Sequence, residues 1–139
     1  MAYNREKHKI WQKKYIQKQK EKGLCIFCPN KKIENSNLCE KHYFIYLAAT
    51  NLKDRNLANL IKERFYVQNK RCFFTDKKLV LGINASIDHI IPKTKSTEDF
   101  NNPHNIYWVD RQINTMKGAL NAEEFINLCT IIANHFKEK

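Results

Sequence analysis

The sequence predicts an α+β fold: a small strand–strand–helix core, flanked by further helices and preceded by a Cys- and His-containing knuckle and a basic N-terminal helix. Two β-rich stretches, residues 85–91 and 106–109, come shortly before a helical pattern, and this order predicts the core. Four Cys and His residues at close, paired spacing predict the knuckle. Lysines and aromatic residues at helical periodicity predict the N-terminal helix.

Composition divides the chain into three segments, 1–23, 24–51 and 52–139. Segment 1–23 contains eight Lys and Arg against two Glu. We expect a basic helix with a thin aromatic stripe, too poor in apolar surface to fold alone, which orders when it binds a partner. A solvated tail without a role is the alternative. The residues that recur at helical spacing are Tyr3, Lys7, Trp11, Tyr15 and Lys18.

Segment 52–139 begins with a predicted helix, a hairpin and a strand. An amphipathic helix of about four turns is predicted, marked by apolar residues at helical spacing: Leu57, Leu60, Ile61 and Phe65. Residues 72–82 form two short apolar runs around a polar turn, a pattern typical of a hairpin. A strand is predicted over residues 85–91, before Pro92, and residues 93–104 are rich in polar residues and predict a loop.

The rest of this segment predicts a second strand and two helices. Residues 106–109 form the strand, and Asp110 is the expected N-cap of the helix that follows. The last helix begins at Asn121, where Glu124 completes a capping-box pattern. The apolar stripe of this last helix consists of Phe125, Leu128, Cys129, Ile132 and Phe136.

The charge balance is the strongest compositional signal. Twenty-five Lys and Arg against 14 Asp and Glu give a net charge of +11 at pH 7. Such a surplus favours a polyanionic partner, because each neutralised phosphate releases condensed counterions. A soluble protein whose codon usage inflates Lys, Asn and Ile is the alternative.

The sequence contains no apolar run near the roughly 20 residues that cross a bilayer, and no apolar region of a signal peptide follows the basic N-terminus. The five cysteines are odd in number, so a reducing cytoplasm fits better than a disulfide framework. We therefore expect a cytoplasmic protein without a membrane partner. Cys72 and Cys129 stand apart from the knuckle and are expected to be buried free thiols.

The knuckle contains Cys25 and Cys28, then Cys39 and His42, each pair separated by two residues. Three thiolates and one imidazole are the ligands that suit tetrahedral Zn²⁺. Because four protein ligands close the coordination shell, we predict a structural rather than a catalytic zinc ion. Reduced cysteines that merely lie near one another are the alternative.

A second group of polar residues suits phosphodiester hydrolysis. His89 has the side chain whose pKa allows it to take a proton from water near neutral pH. Asp88 and the amide oxygen of Asn114 are hard ligands for Mg²⁺, which would keep several positions for water and phosphate. Lys117 lies one helical turn after Asn114 and could contact a phosphate. Asn105 lies where the loop enters the second strand and could hold the loop backbone, and with it His89.

Residues from about 57 to 136 resemble an HNH nuclease of the ββα-metal class. The matching pieces are Asp88-His89-Ile90-Ile91-Pro92, Asn105-Ile106-Tyr107-Trp108-Val109 and Asn114-Thr115-Met116-Lys117. The likeness is to small HNH endonucleases of phages and mobile elements. It implies a ββα-metal core, His89 as general base, Asp88 and Asn114 as ligands of Mg²⁺ or Mn²⁺, and Asn105 as the orienting residue. Many such proteins carry two Cys pairs around the ββα unit; here only Cys72 remains, so no zinc is expected in this segment.

These observations lead to a metal-dependent DNA endonuclease that acts on double-stranded DNA in the cytoplasm, that of the host cell if a phage encodes the chain. One such site cuts one strand, so a double-strand break requires a homodimer or two events. Two alternatives stay open: a non-catalytic DNA-binding protein with an HNH scaffold, and an RNA-binding or RNA-cleaving protein. The expected nucleic-acid contacts are Lys7, Trp11, Lys14, Tyr15, Lys18, Lys22, Lys93, Lys95 and Lys117.

Overall fold

Helices and one small sheet make up the mixed α+β architecture of the chain, for which a computed structural model describes residues 4–92, 95 and 101–139. Two short 3₁₀ turns, Arg55–Leu57 and Pro103–Asn105, lead into the third helix and the second strand. None of the helices in the described residues combines the length and the apolar character that crossing a bilayer requires. The elements are α1 (Arg5–Glu21), α2 (Glu40–Asn51), α3 (Ala58–Val67), β1 (Ala85–His89), β2 (Ile106–Asp110), α4 (Arg111–Lys117) and α5 (Ala122–Lys137).

Strands β1 and β2 pair antiparallel, with Ile87 opposite Trp108 and His89 opposite Ile106. The side chains alternate between two faces, so Ala85 and Ile87 enter the core, whereas the half-buried Ser86 and Asp88 lie on the other face. The outer edge of β2 is covered by a side chain instead of a strand. Gln68 donates to the Trp108 carbonyl oxygen and accepts from the Trp108 amide, both at 2.9 Å, which satisfies an edge that would otherwise be open.

Trp108 is the centre of the core. The centroid of its ring lies 5.9 Å from the ring centroid of Phe44 on α2 and 5.0 Å from that of Phe65 on α3. Both pairs are in edge-on contact. Its indole N–H donates to the Ile61 carbonyl oxygen at 2.7 Å, so the buried ring leaves no unsatisfied donor. The same apolar cluster extends from Cys25 to Val109, so the knuckle and the sheet share one core.

Helix α1 is anchored at its C-terminal end. Asn4 caps its first turn, and its side chain accepts from the Lys7 amide at 3.1 Å. The buried Gln19 donates to the carbonyl oxygens of Cys25 and Cys28, each at 2.9 Å. These two hydrogen bonds join α1 to the knuckle.

Two elements of segment 52–139 differ from prediction. The helix from Leu57 to Phe65 is shorter at its start, because Asp54 caps a 3₁₀ turn and α3 begins only at Ala58. Residues 72–82 do not form a regular hairpin: their flanks meet in one isolated bridge, Arg71 with Lys78. Within this segment Asp76 has a positive φ, and its amide donates to the Cys72 carbonyl oxygen at 3.0 Å, so the chain forms a turn here.

Helices α4 and α5 begin as predicted. Asp110 caps α4 by accepting from the Gln112 amide, and Asn121 and Glu124 form the capping box of α5. Cys72 is buried as expected, and its Sγ accepts from the Asp110 amide at 3.2 Å. Cys129 is exposed, so the prediction of a buried thiol there was wrong. Cys129 is exposed because α5 packs against the rest of the described structure only through its first turn, with Ala122 and Phe125.

Asp110 should make the stability of the fold depend on pH. Lys77, 3.0 Å away, lowers the pKa of this carboxyl below its ordinary value, outweighing the effect of burial. Its carboxylate therefore contributes stability above the unfolded pKa of about 3.9, and that contribution is lost as the pH falls through the folded value. Asp110→Asn keeps a side chain that can cap α4 but removes the charge.

We expect the free energy of unfolding, measured with urea, to differ most between wild type and Asp110→Asn near about pH 6, and the difference to shrink below about pH 4. Asp110→Ala should in addition cost about 1 kcal/mol at both pH values, because the cap is lost. A difference between wild type and Asp110→Asn that stays constant with pH would contradict the role of the ion pair.

Candidate functional site

Cys25, Cys28, Cys39 and His42 converge into one cluster that can hold a metal ion. The four ligand atoms all lie within 4.8 Å of one another. The Cys39 Sγ is 3.2 Å from the His42 Nδ1, and the Cys28 Sγ is 3.6 Å from the Cys39 Sγ. A tetrahedral zinc site with Zn–S near 2.3 Å and Zn–N near 2.0–2.1 Å separates its ligand atoms by about 3.6–3.8 Å. The cluster therefore has the dimensions of a zinc site, with Nδ1 as the imidazole ligand.

Local structure explains why these four residues meet. The knuckle turn brings Cys25 and Cys28 together, and an isolated bridge between Leu24 and Lys31 closes that turn. Cys39 is the N-cap of α2, so His42 lies one turn further on the same face of the helix. Burial raises the pKa of the Cys25 thiol, but backbone and side-chain hydrogen bonds together outweigh burial and leave the pKa below its ordinary value. The N–H of Phe27 is 3.4 Å from the Cys25 Sγ, a contact that favours the thiolate.

The second group of predicted residues lies where α4 crosses the polar face of β1. Asn114 donates from its amide nitrogen to the Ser86 hydroxyl at 2.7 Å and to the Ile87 carbonyl oxygen at 3.1 Å. Three residues later, Lys117 reaches Asp88, two residues after Ser86. Residues three apart on α4 therefore contact residues two apart on the same face of β1. These two pairs of contacts fix the position of α4 on β1.

Lys117 is placed differently from the expected phosphate contact. Its side chain is fully buried, and its ammonium lies 3.2 and 3.1 Å from the two carboxylate oxygens of Asp88. It also donates to the His89 carbonyl oxygen at 2.9 Å. A buried ammonium is stable only when its donors have partners, and here three oxygens accept from its three N–H groups. Lys117 therefore holds Asp88 and the end of β1 in position and does not face a phosphate.

His89 lies at the end of β1, half-buried. Strand alternation directs its ring away from the face on which Asp88 lies. Its Nε2 is 3.1 Å from the side-chain oxygen of Asn101, and Asn101 donates to the carbonyl oxygen of Leu52 at 2.8 Å. Asn101 thus orients the imidazole and is itself held by the backbone of Leu52, at the C-terminal end of α2.

Asn105 holds the backbone at the end of β1. Its side-chain oxygen accepts from the Ile91 amide at 2.8 Å, and its nitrogen donates to the Ile91 carbonyl oxygen at 3.0 Å. The Asn105 carbonyl oxygen accepts from the Ile90 amide, which continues the ladder one step beyond the strand. These bonds fix the chain directly after His89, as expected from the position of Asn105 before β2.

Sequence reasoning missed three residues of these sites: Gln19, Ser86 and Asn101. Gln19 is one of several polar residues on α1. Only its two hydrogen bonds to the knuckle backbone distinguish it from the others. Ser86 could have been found, because it precedes Asp88 by two residues and so shares its face. Asn101 lies in a polar loop where the sequence gives no signal of a partner 49 residues away.

The predicted nucleic-acid contacts lie mostly on α1. Trp11 is 61% exposed, and its ring stacks on that of Tyr15 with centroids 5.5 Å apart. Lys95 forms an ion pair with Glu124 on α5. Lys93 lies outside the described residues. The four lysines predicted as contacts on α1 and its C-cap are all exposed: Lys7, Lys14, Lys18 and Lys22.

No family model matches the chain, and comparisons with curated proteins and with solved structures find no match either.

Metal analysis tests the Cys3His cluster. We expect one zinc ion per chain after mild purification and a large fall in the melting temperature when a chelator removes it, because Cys25 and Cys39 belong to the core. Cys39→Ser should lose the ion, whereas Cys129→Ser, which changes an exposed cysteine outside the cluster, should keep it. The same zinc content in both variants, or none in the wild type, would contradict a zinc site.

Proposed function

We propose that this chain is a metal-dependent DNA endonuclease that hydrolyses phosphodiester bonds. One observation carries the proposal: Asp88 and the hydrogen-bonded Asn114 lie at the same junction of β1 with α4, and His89 follows Asp88 at the end of that strand, with its ring on the opposite face. The order strand, strand, helix in β1, β2 and α4 agrees with the ββα arrangement that the resemblance to HNH nucleases implies. Each of these residues has chemistry that the reaction needs.

His89 acts as the general base in this proposal. Its imidazole takes a proton from the water that attacks phosphorus, at a ring orientation that Asn101 fixes through the 3.1 Å contact with Nε2. Asn105 supports this step indirectly, because its two bonds to Ile91 hold the backbone that follows the base.

Asp88 and Asn114 would hold the divalent ion. Because the Asn114 amide nitrogen donates to Ser86 and Ile87, its oxygen is the atom left to act as a ligand. Carboxylate and carboxamide oxygens are hard donors and fit Mg²⁺ or Mn²⁺. Such an ion, when bound, supplies Lewis-acid stabilisation of the charge that develops on the phosphate and on the leaving oxygen.

The charge of this donor set is low, because Lys117 already neutralises Asp88. One carboxylate and one ammonium leave almost no net attraction for a cation before substrate binds. In this proposal the phosphate of DNA supplies the missing negative charge, so the ion and the substrate bind together. This behaviour is usual for Mg²⁺ sites that contain only one or two carboxylates.

The N-terminal half of the chain supplies affinity for DNA. A structural zinc ion in the Cys3His cluster fixes the start of α2 and, through Gln19, the base of α1. The exposed lysines of α1 then contact the phosphate backbone without reading sequence.

A second candidate function is binding without cleavage. The specific observation in its favour is the ion pair of Asp88 with Lys117, which neutralises the carboxylate without a metal. The exposed Trp11, stacked on the half-buried Tyr15, would suit unpaired bases of RNA or single-stranded DNA. A binding protein has no use for the base His89, so the histidine separates the two candidates.

Plasmid nicking tests the catalytic proposal. With Mg²⁺, the wild type should nick supercoiled DNA, and His89→Ala should lower the rate by about 10²–10⁴-fold while binding survives. His104→Ala is the matched control, because His104 is an exposed histidine close to the same site. Equal nicking by wild type and His89→Ala, or no cleavage by either, would contradict the assignment.

Salt dependence of DNA affinity tests the role of α1. Replacing Lys7, Lys14 and Lys18 by Gln keeps the anchor Gln19 and should reduce the slope of log K against log salt by roughly 0.9 for each phosphate that the variant no longer neutralises. A control with Lys53, Lys62 and Lys78 replaced by Gln removes the same charge elsewhere on the exposed surface. The same slope for both variants would show that net charge, and not α1, is responsible.

A further inference from the structure

Helix α5 exposes an apolar face that no other described element covers. Only Ala122 and Phe125 of this helix are buried, and every residue from Ile126 onward is exposed. The exposed fractions of the large side chains are high: 50% for Ile126, 51% for Ile132 and 69% for Phe136. Isolated helices of this length are marginal in water, because most helical stability comes from packing of the apolar face. The face therefore needs a partner.

The spacing of the face is that of a helix–helix seam. Ile126, Cys129, Ala133 and Phe136 follow one another at intervals of three, four and three residues, the pattern of a two-stranded coiled coil. A groove of about 380 Å³ lies between this row and α4. It is lined by Ile126, Cys129 and Ala133 of the row and by Ile113 and Met116 of α4. The groove gives a second helix a place to lie along α5.

The charges of α5 identify the partner. The helix is acidic in its first turn, with Glu123 and Glu124, and basic at its other end, with Lys137. Glu123 and Lys137 are both exposed and lie on the same side of the seam. Glu123 comes seven residues before Thr130, and Lys137 comes seven residues after it. A second copy of the helix in antiparallel orientation would therefore bring Glu123 of each chain to Lys137 of the other.

Other partners fit this face less well. Residues 122–139 contain three acidic and two basic residues, whereas the whole chain has a net charge of +11. A helix on an anionic membrane surface has a polar face rich in Lys and Arg, and a helix on DNA is basic for the same reason. The least basic helix of a basic chain suits neither.

We propose that two copies of this chain associate through α5, with the two helices antiparallel and the symmetry axis near Thr130. Such a pairing is isologous and closes on itself, so it gives a dimer and not a fibre. The interface lies on α5 and on the side of α4 that carries Met116, while the opposite side of α4 contacts β1. The inference stands without the nuclease activity; if that activity is present, the dimer joins two single-strand sites.

Sedimentation equilibrium of the full-length, DNA-free protein is the first test. We expect a mass of twice 16.6 kDa that dissociates on dilution. Phe136→Ser should weaken the dimer by about tenfold or more, because aromatic residues dominate interfaces of this kind. Val67→Ser, which changes another residue of similar exposure on α3, should leave association unchanged. A chain that stays monomeric up to about 1 mM overturns the proposal.

Two further variants test the orientation. Glu123→Lys and Lys137→Glu should each weaken association several-fold, and the double reversal should restore it, with circular dichroism confirming that each variant stays helical. The structure describes all five cysteines, and of these only Cys129 is exposed. A short bis-maleimide should therefore cross-link the wild-type dimer but not Cys129→Ser. A dimer that responds to none of these changes has its interface elsewhere, and the proposal is then wrong.

Discussion

The buried ammonium of Lys117 is the interaction on which the candidate catalytic site depends. It joins three atoms of β1, the two carboxylate oxygens of Asp88 and the carbonyl oxygen of His89, to the last turn of α4. Breaking a buried ion pair from one side leaves an uncompensated charge, which costs about 3–5 kcal/mol. The angle of α4 on the strand, and with it the direction of Asn114, is therefore set by an electrostatic requirement and not only by apolar packing.

The same ion pair determines how the site would bind a cation. A carboxylate that is already neutralised attracts a divalent ion weakly, and the surrounding protein offers little additional negative charge. A site of this kind is suited to act only when a phosphate is present, since the phosphate completes both the charge and the coordination shell. In the proposed function the basic surface of α1 would serve the same end, because it would raise the local concentration of the polyanionic substrate.

Much of the fold and of the site was predictable from the sequence. The two strands, the N-cap Asp110, the capping box at Asn121 and the Cys3His cluster all follow from local patterns whose physical basis lies within a few residues. Asn101 and the burial of Lys117 depend on contacts between distant segments, which leave no periodic signal. Gln19 bonds to residues only six and nine positions away, but in sequence nothing distinguishes it from the other polar residues of α1. The hairpin was predicted from two apolar runs, and these do not specify backbone pairing, which is limited to the bridge between Arg71 and Lys78.

The most direct test of the central claim is anomalous scattering from Mn²⁺ in crystals of the protein with a short DNA duplex. The account predicts a Mn²⁺ peak about 2.1–2.2 Å from one oxygen of Asp88 and from the amide oxygen of Asn114, with a phosphate oxygen in the same shell and His89 on the opposite side of the phosphorus. Bound DNA with no Mn²⁺ at these two residues would contradict it and leave Asp88 as a purely structural partner of Lys117.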